Sequence, residues 1–132
     1  MNMAKEKIYA KLGALAYITW GILHIQVSRL VFSLGDTLEP GIIQGRINQD
    51  AFNLMFFALF AITIAIWMNW KNSRLGYWLN LVVISAADIG FIIYVLLPGY
   101  VPINPGIFGP ILWLIAIIFS TLGIKSKKSK AF

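Results

Sequence analysis

Few side chains in this sequence can do chemistry, and most of those stand inside long apolar runs. The ionisable ones are His24, Arg29 and Asp88, with Asp50 at the mouth of a neighbouring run. Such groups are costly in hydrocarbon and usually face a bundle interior or a wet cavity. A histidine paired with a carboxylate suits general acid–base work near neutral pH. A cavity that adds a guanidinium could also hold an anionic or polar headgroup. The catalytic candidates are therefore His24 and Asp88. The ligand-binding candidates are Arg29, Asp50, Asn53, Trp113, Phe57 and Tyr17.

Helical rise allows the depths of these groups to be compared. His24 lies about 20 Å beyond Lys11 and Asp88 about 21 Å beyond Arg74, so the two can meet. Arg29 and Asn53 both lie about 27 Å up, and Asp50 stands one turn higher, within reach of the Arg29 side chain. The strongly polar groups are thus expected to gather in one half of the molecule. Each has a plain structural reading as well. His24 with Asp88 can lock two helices together, Arg29 with Asp50 can form an interfacial salt bridge, and Asn53 can bond between helices. Trp113 and Phe57 can simply pack.

The elements that must position these residues are four apolar runs, at about 8–34, 51–70, 75–97 and 107–124. Of the 132 residues 59% are hydrophobic and 12% charged, and the mean hydropathy is +0.78. Soluble domains carry roughly twice that charge. Each run is close to or above the ~20 residues a helix needs to cross a bilayer core. Helix is the expected state, because open strands would leave backbone groups unpaired in lipid. The expected fold is a single all-α domain, an integral membrane bundle of four transmembrane helices.

Lys5, Lys7, Lys11, Lys71, Arg74, Lys125, Lys127, Lys128 and Lys130 all fall on one side of that arrangement. Of the 11 basic residues only Arg29 and Arg46 are left over. The positive-inside rule then predicts a multi-pass protein of the cell membrane, N-in and C-in, with a basic cytoplasmic tail at 125–132. The net charge of +6 thus reports orientation and contact with lipid headgroups, not a nucleic-acid partner. The first run continues past Leu23 and carries His24 and Arg29, which argues against a cleaved leader. Trp70, Tyr77, Trp78 and Tyr100 lie near the expected interfaces.

Helical spacing places Gly13, Tyr17, Gly21, His24 and Ser28 on one stripe of the first span. Gly76, Asn80, Ile84 and Asp88 share a stripe of the third. The inward stripes of the second and fourth spans are expected at Asp50, Asn53, Phe57, Ala61 and Ala65, and at Gly106, Pro110, Trp113, Ile117 and Ser120. The segment 35–49, with Ile42, Ile43 and Ile47 among polar residues, reads as an amphipathic loop roofing a pocket. The Pro-rich segment 98–106 reads as a rigid connector.

Absences narrow the chemistry. There is no cysteine and a single histidine, which excludes thiolate metal sites and bis-His haem ligation within one chain. No phosphate-binding loop or nucleophile elbow is present, and no lysine lies deep inside a run, Lys11 standing in the first turn of its own. No cofactor and no metal are expected. In size and span count the chain is similar to sterol-isomerase-like four-helix proteins and small quinone-linked subunits, a likeness that transfers no residue roles. The function expected is binding of a lipid-like or isoprenoid-like molecule in a polar pocket, with His/Asp acid–base chemistry. An oligomeric transporter or channel and a non-catalytic subunit of a larger membrane complex are the alternatives. Membrane lipids, a homo-oligomer or that complex are the partners these readings imply.

Overall fold

The computed structural model describes residues 3–128, so Lys130 and the rest of the tail beyond 128 lie outside the described residues. Helix α1 runs Met3–Asp36, α2 Ile42–Trp67 and α3 Arg74–Phe91; α3 continues as a π-helical turn over Ile92–Leu96. A single turn, α4, covers Ile103–Gly106 and leads into α5, Phe108–Lys128. No strand occurs among the described residues. Four of the helical segments are long and apolar enough to cross a membrane.

Local chemistry explains where the helices stop. Prolines at 40, 98, 102 and 105 sit between the long helices, and Pro110 falls in the first turn of α5, where no intrahelical hydrogen bond is lost. The turn between α2 and α3 is closed by Asn72 in the left-handed region (φ 54°), a conformation asparagine tolerates better than most residues. Ser73 then caps α3, its hydroxyl accepting from the Gly76 amide at 3.4 Å.

Helix α1 lies between α2 and α5 and packs closely on both, while α3 sits across the bundle against the same two neighbours. Small residues set the close approach. A side chain at Gly21 would meet Ile62 Cγ1 at 2.5 Å and the Ala58 carbonyl oxygen at 2.7 Å. The facing stripe of α2 is Ala51, Ala58, Ala61 and Ala65, all buried. Gly13 is packed just as closely against Ser120 of α5. Such small-residue seams bring helices together through dispersion contacts. The stripe Gly76, Asn80, Ile84 and Asp88 of α3 is buried as its spacing predicts. Ile22, Phe52, Phe56, Leu59, Val82, Ile89, Leu114 and Ile118 are exposed on the outside, an apolar coat suited to lipid.

Two expectations are corrected. Residues 42–50 do not form a roofing loop: they extend α2, leaving only residues 37–41 between the first two helices. From the Asn72 turn α2 rises about 45 Å and α3 with its π turn about 35 Å, so the α1–α2 tip stands about 10 Å beyond. Gln44 ties this tip, its amide donating to the carbonyls of Gly35 and Leu38 at 3.2 and 3.3 Å. Apolar residues alternating with polar ones could serve either role, and the five-residue turn settled the matter in favour of continuous helix. The second correction concerns register in α2, where Asp50 and Asn53 are both exposed instead of buried. The alanine stripe defines the inward face, and Asn53 does not share it.

Candidate functional site

Polar side chains gather at two levels of the bundle. One is the end that carries both termini. There Asn72 Nδ2 donates to the Gly123 carbonyl at 2.9 Å and to Glu6 Oε1 at 3.3 Å, and Lys127 Nζ donates to the Asn72 carbonyl at 3.2 Å. Asn80 Nδ2 bonds Asn69 Oδ1 at 3.1 Å and the Ala61 carbonyl at 3.2 Å. Tyr77 and Thr121 join their hydroxyls at 3.1 Å, and Lys11 sits 5.3 Å over the Trp70 ring. This network is a further correction, because polar groups were expected to gather in the other half alone. Counting ionisable residues overlooks amides, and Asn69 and Asn72 lie in a turn that looks like a mere connector.

The second level lies midway along the bundle and toward the opposite, distal end. Tyr17, Trp20 and His24 follow one another along the inner stripe of α1, and Asp88 faces them from α3. Tyr17 and Trp20 are fully buried and Asp88 is 1% exposed. The Tyr17 hydroxyl, the Trp20 indole nitrogen and both Asp88 carboxyl oxygens have no hydrogen-bond partner among the described residues. The indole of Trp20 lies toward the carboxyl without reaching hydrogen-bond geometry. Leaving a buried polar group unpaired costs about 1–3 kcal/mol each. Such a concentration in one place marks either stored cost or a waiting partner.

The His24 ring stacks on Trp20 with centroids 3.7 Å apart, and its Nδ1 lies 2.8 Å from the Trp20 carbonyl oxygen. A carbonyl can only accept, so this bond assigns the proton of the neutral ring to Nδ1 and leaves Nε2 as an open acceptor. Gly109 of α5 sits over both groups. A Cβ placed there would be 2.9 Å from His24 Cε1, 3.3 Å from Nε2 and 3.6 Å from Asp88 Oδ1. His24 and Asp88 thus converge on Gly109, the only residue type that leaves space between them, although they form no direct hydrogen bond.

A cavity of about 380 Å³ opens from this point, lined by His24, Gln26, Val27 and Leu30 of α1, Leu54 of α2, Ala87 and Phe91 of α3, and Val101, Pro102, Pro105, Gly106 and Gly109. Its walls are mostly apolar. A second cavity of about 310 Å³ lies on the other side of Leu54, Ala87 and Phe91, which line both; Asp50, Phe57, Gly90, Tyr94 and Val95 complete it. The candidate residues are therefore divided. His24 lines the larger cavity with Asp88 buried beside it, while Asp50 and Phe57 line the smaller.

The others stand elsewhere. Arg29 is exposed and forms no ion pair with Asp50, and neither Arg29 nor Asn53 lines either of these two cavities. Trp113 donates its indole N–H to Ser85 Oγ at 3.0 Å, tying α5 to α3. Tyr17 belongs to the packed core. Two residues that sequence reasoning passed over matter here: Trp20 and Gly109. Trp20 could have been found, since it stands one helical turn before His24 and can stack on it. Gly109 carries no such signal, whereas Phe91 follows from helical spacing, which puts it beside the stripe of Gly76 and Asp88.

Comparison with known protein families, with curated proteins and with solved structures gives no match, so the chemistry of the site itself carries the functional argument.

Proposed function

We propose that this chain is a multi-pass protein of the cell membrane, with both termini cytoplasmic, that binds a lipid-like or isoprenoid-like molecule in the larger distal cavity. The observation that carries this reading is an apolar chamber ending on the open Nε2 of His24, beside an Asp88 carboxyl with neither oxygen paired. Apolar walls with a few convergent polar groups are the usual make-up of a small-molecule site. The walls would take the hydrocarbon part. A hydroxyl or similar group would donate to His24 Nε2 and lie within reach of Asp88, an arrangement able to exchange a proton. The exposed apolar coat and the one-sided basic residues support the membrane placement.

Native mass spectrometry of the protein purified in mild detergent tests the binding. Wild type should retain a lipophilic adduct, and Gly109→Leu, which fills the space beside His24, should lose it with helicity unchanged. Should Gly109→Leu fail to fold, Val27→Trp blocks the same chamber from its wall. Equal adducts in wild type and a folded blocked variant would refute the reading. Orientation has its own test. The chain has no cysteine, so single cysteines at Thr37 and Lys127 can be labelled in intact cells. Label from outside should reach position 37 and not 127; the reverse pattern overturns the topology.

A further inference from the structure

The smaller distal cavity differs in chemistry from its neighbour. One carboxylate, the exposed Asp50, lines a space of about 310 Å³ together with Phe57, Phe91 and Tyr94, the last of these 74% exposed, and Gly90 leaves part of the wall open. A Cβ at Gly90 would meet nothing within 4 Å. Among the described residues Asp50 has no side-chain partner: Arg29 does not pair with it, and Arg46 donates to Gln49 Oε1 at 2.8 Å. It lies about 31 Å above Lys71, which, on the membrane placement proposed above, is where a bilayer core ends and water is available. Tyr94 and Val95 reach the cavity from the π-helical turn, a backbone irregularity frequent at functional sites.

We propose that this cavity is a binding site for an organic ammonium group, held by the Asp50 carboxylate and the faces of Phe57, Phe91 and Tyr94. A cation over aromatic faces is attracted by the ring quadrupoles, and a nearby carboxylate supplies the opposite charge. The same chemistry disfavours a bare metal ion, which needs several oxygen ligands, and no group of three or more metal-binding side chains occurs among the described residues. An anion is disfavoured by Asp50 itself. The volume lies at the lower end for small-molecule sites, roughly 300–1,000 Å³, and suits a headgroup-sized cation. This inference does not depend on what fills the larger cavity, since only Leu54, Ala87 and Phe91 are shared.

The ammonium can come from a free amine or from a lipid headgroup, and the test separates the two. Choline is titrated against the full chain in phosphatidylglycerol nanodiscs, in parallel with 3,3-dimethylbutanol, its neutral isostere. Saturable binding of choline and not of the isostere is expected. Asp50→Asn should weaken choline by about tenfold or more, as loss of a charged partner does. Tyr94→Leu should weaken it about threefold. Ile22→Ala, on the exposed face of α1 and lining neither cavity, should leave it unchanged. In phosphatidylcholine nanodiscs, exclusion of added choline identifies the lipid headgroup as occupant, and undiminished binding identifies a free amine. Equal binding of the isostere, indifference to Asp50→Asn, or no saturable binding of choline in phosphatidylglycerol overturns the proposal.

Discussion

At the end carrying the termini, Asn72 and Asn80 are buried and their amide nitrogens each have two partners. At the level of Asp88, buried oxygens and an indole N–H face one another with none. The first region spends its polar groups on joining helices: Asn72 bridges its turn to α5 and α1, and Asn80 joins α3 to α2. The second keeps them in reserve beside open space. The division is one of degree, since Asn80 Oδ1 and Ser120 Oγ are also unpaired. It nevertheless tracks the packing. Seams with glycine and alanine at contact distance hold the first two helices together, while the distal part of α3 leaves two cavities along its flank. Burial of a polar side chain is therefore no guide to its role here; whether its hydrogen bonds are closed is the better one.

Substitutions can break this contrast, and the largest effect belongs to the packed seam. Gly21→Val places a branched side chain against the Ala58 backbone and Ile62, and should cost about 3 kcal/mol or prevent folding altogether. Unfolding in mixed micelles followed by circular dichroism measures this, and a loss under about 1 kcal/mol would show that α1 and α2 can move apart. The next effect is at the terminal end. Asn72→Ala removes two hydrogen bonds and puts a less suited residue in the left-handed region, for a loss of about 2–3 kcal/mol. The smallest change in stability is expected at the site itself. Asp88→Asn keeps the shape of a side chain whose oxygens have no partner, so the same assay should read a change within about 1 kcal/mol. Lipophilic adduct should be lost in this variant and retained by Asn72→Ala. If Asp88→Asn proves the more damaging of the two, the distal polar cluster is structural and the contrast fails.

Much of the fold was legible in the sequence because hydrophobic length and helical period are local properties. Four long apolar runs specify four helices, and the fourfold spacing of Gly76, Asn80, Ile84 and Asp88 specified the buried face of α3. His24 and Asp88 could be placed at one depth from rise alone. Other features were not local. The second helix begins at Ile42 because its neighbour ends at Asp36 and a five-residue turn suffices, a length that residue types in 35–49 do not encode. Its inward face follows its alanines against Gly21, which left Asn53 outside.

The sequence by itself thus determined the number and helical state of the long elements, and the short set of residues able to do chemistry. Tertiary structure alone decided which of these residues share a space. It joined His24 to Asp88 through the gap over Gly109 and sent Asp50 and Phe57 to a separate chamber. It also left Arg29 on the surface. The physical reason is that helical periodicity fixes the face of a single helix, whereas a cavity arises from the mismatch between several. Leu54, Ala87 and Phe91 divide the two chambers only because α2 and α3 meet at that height and in that rotation.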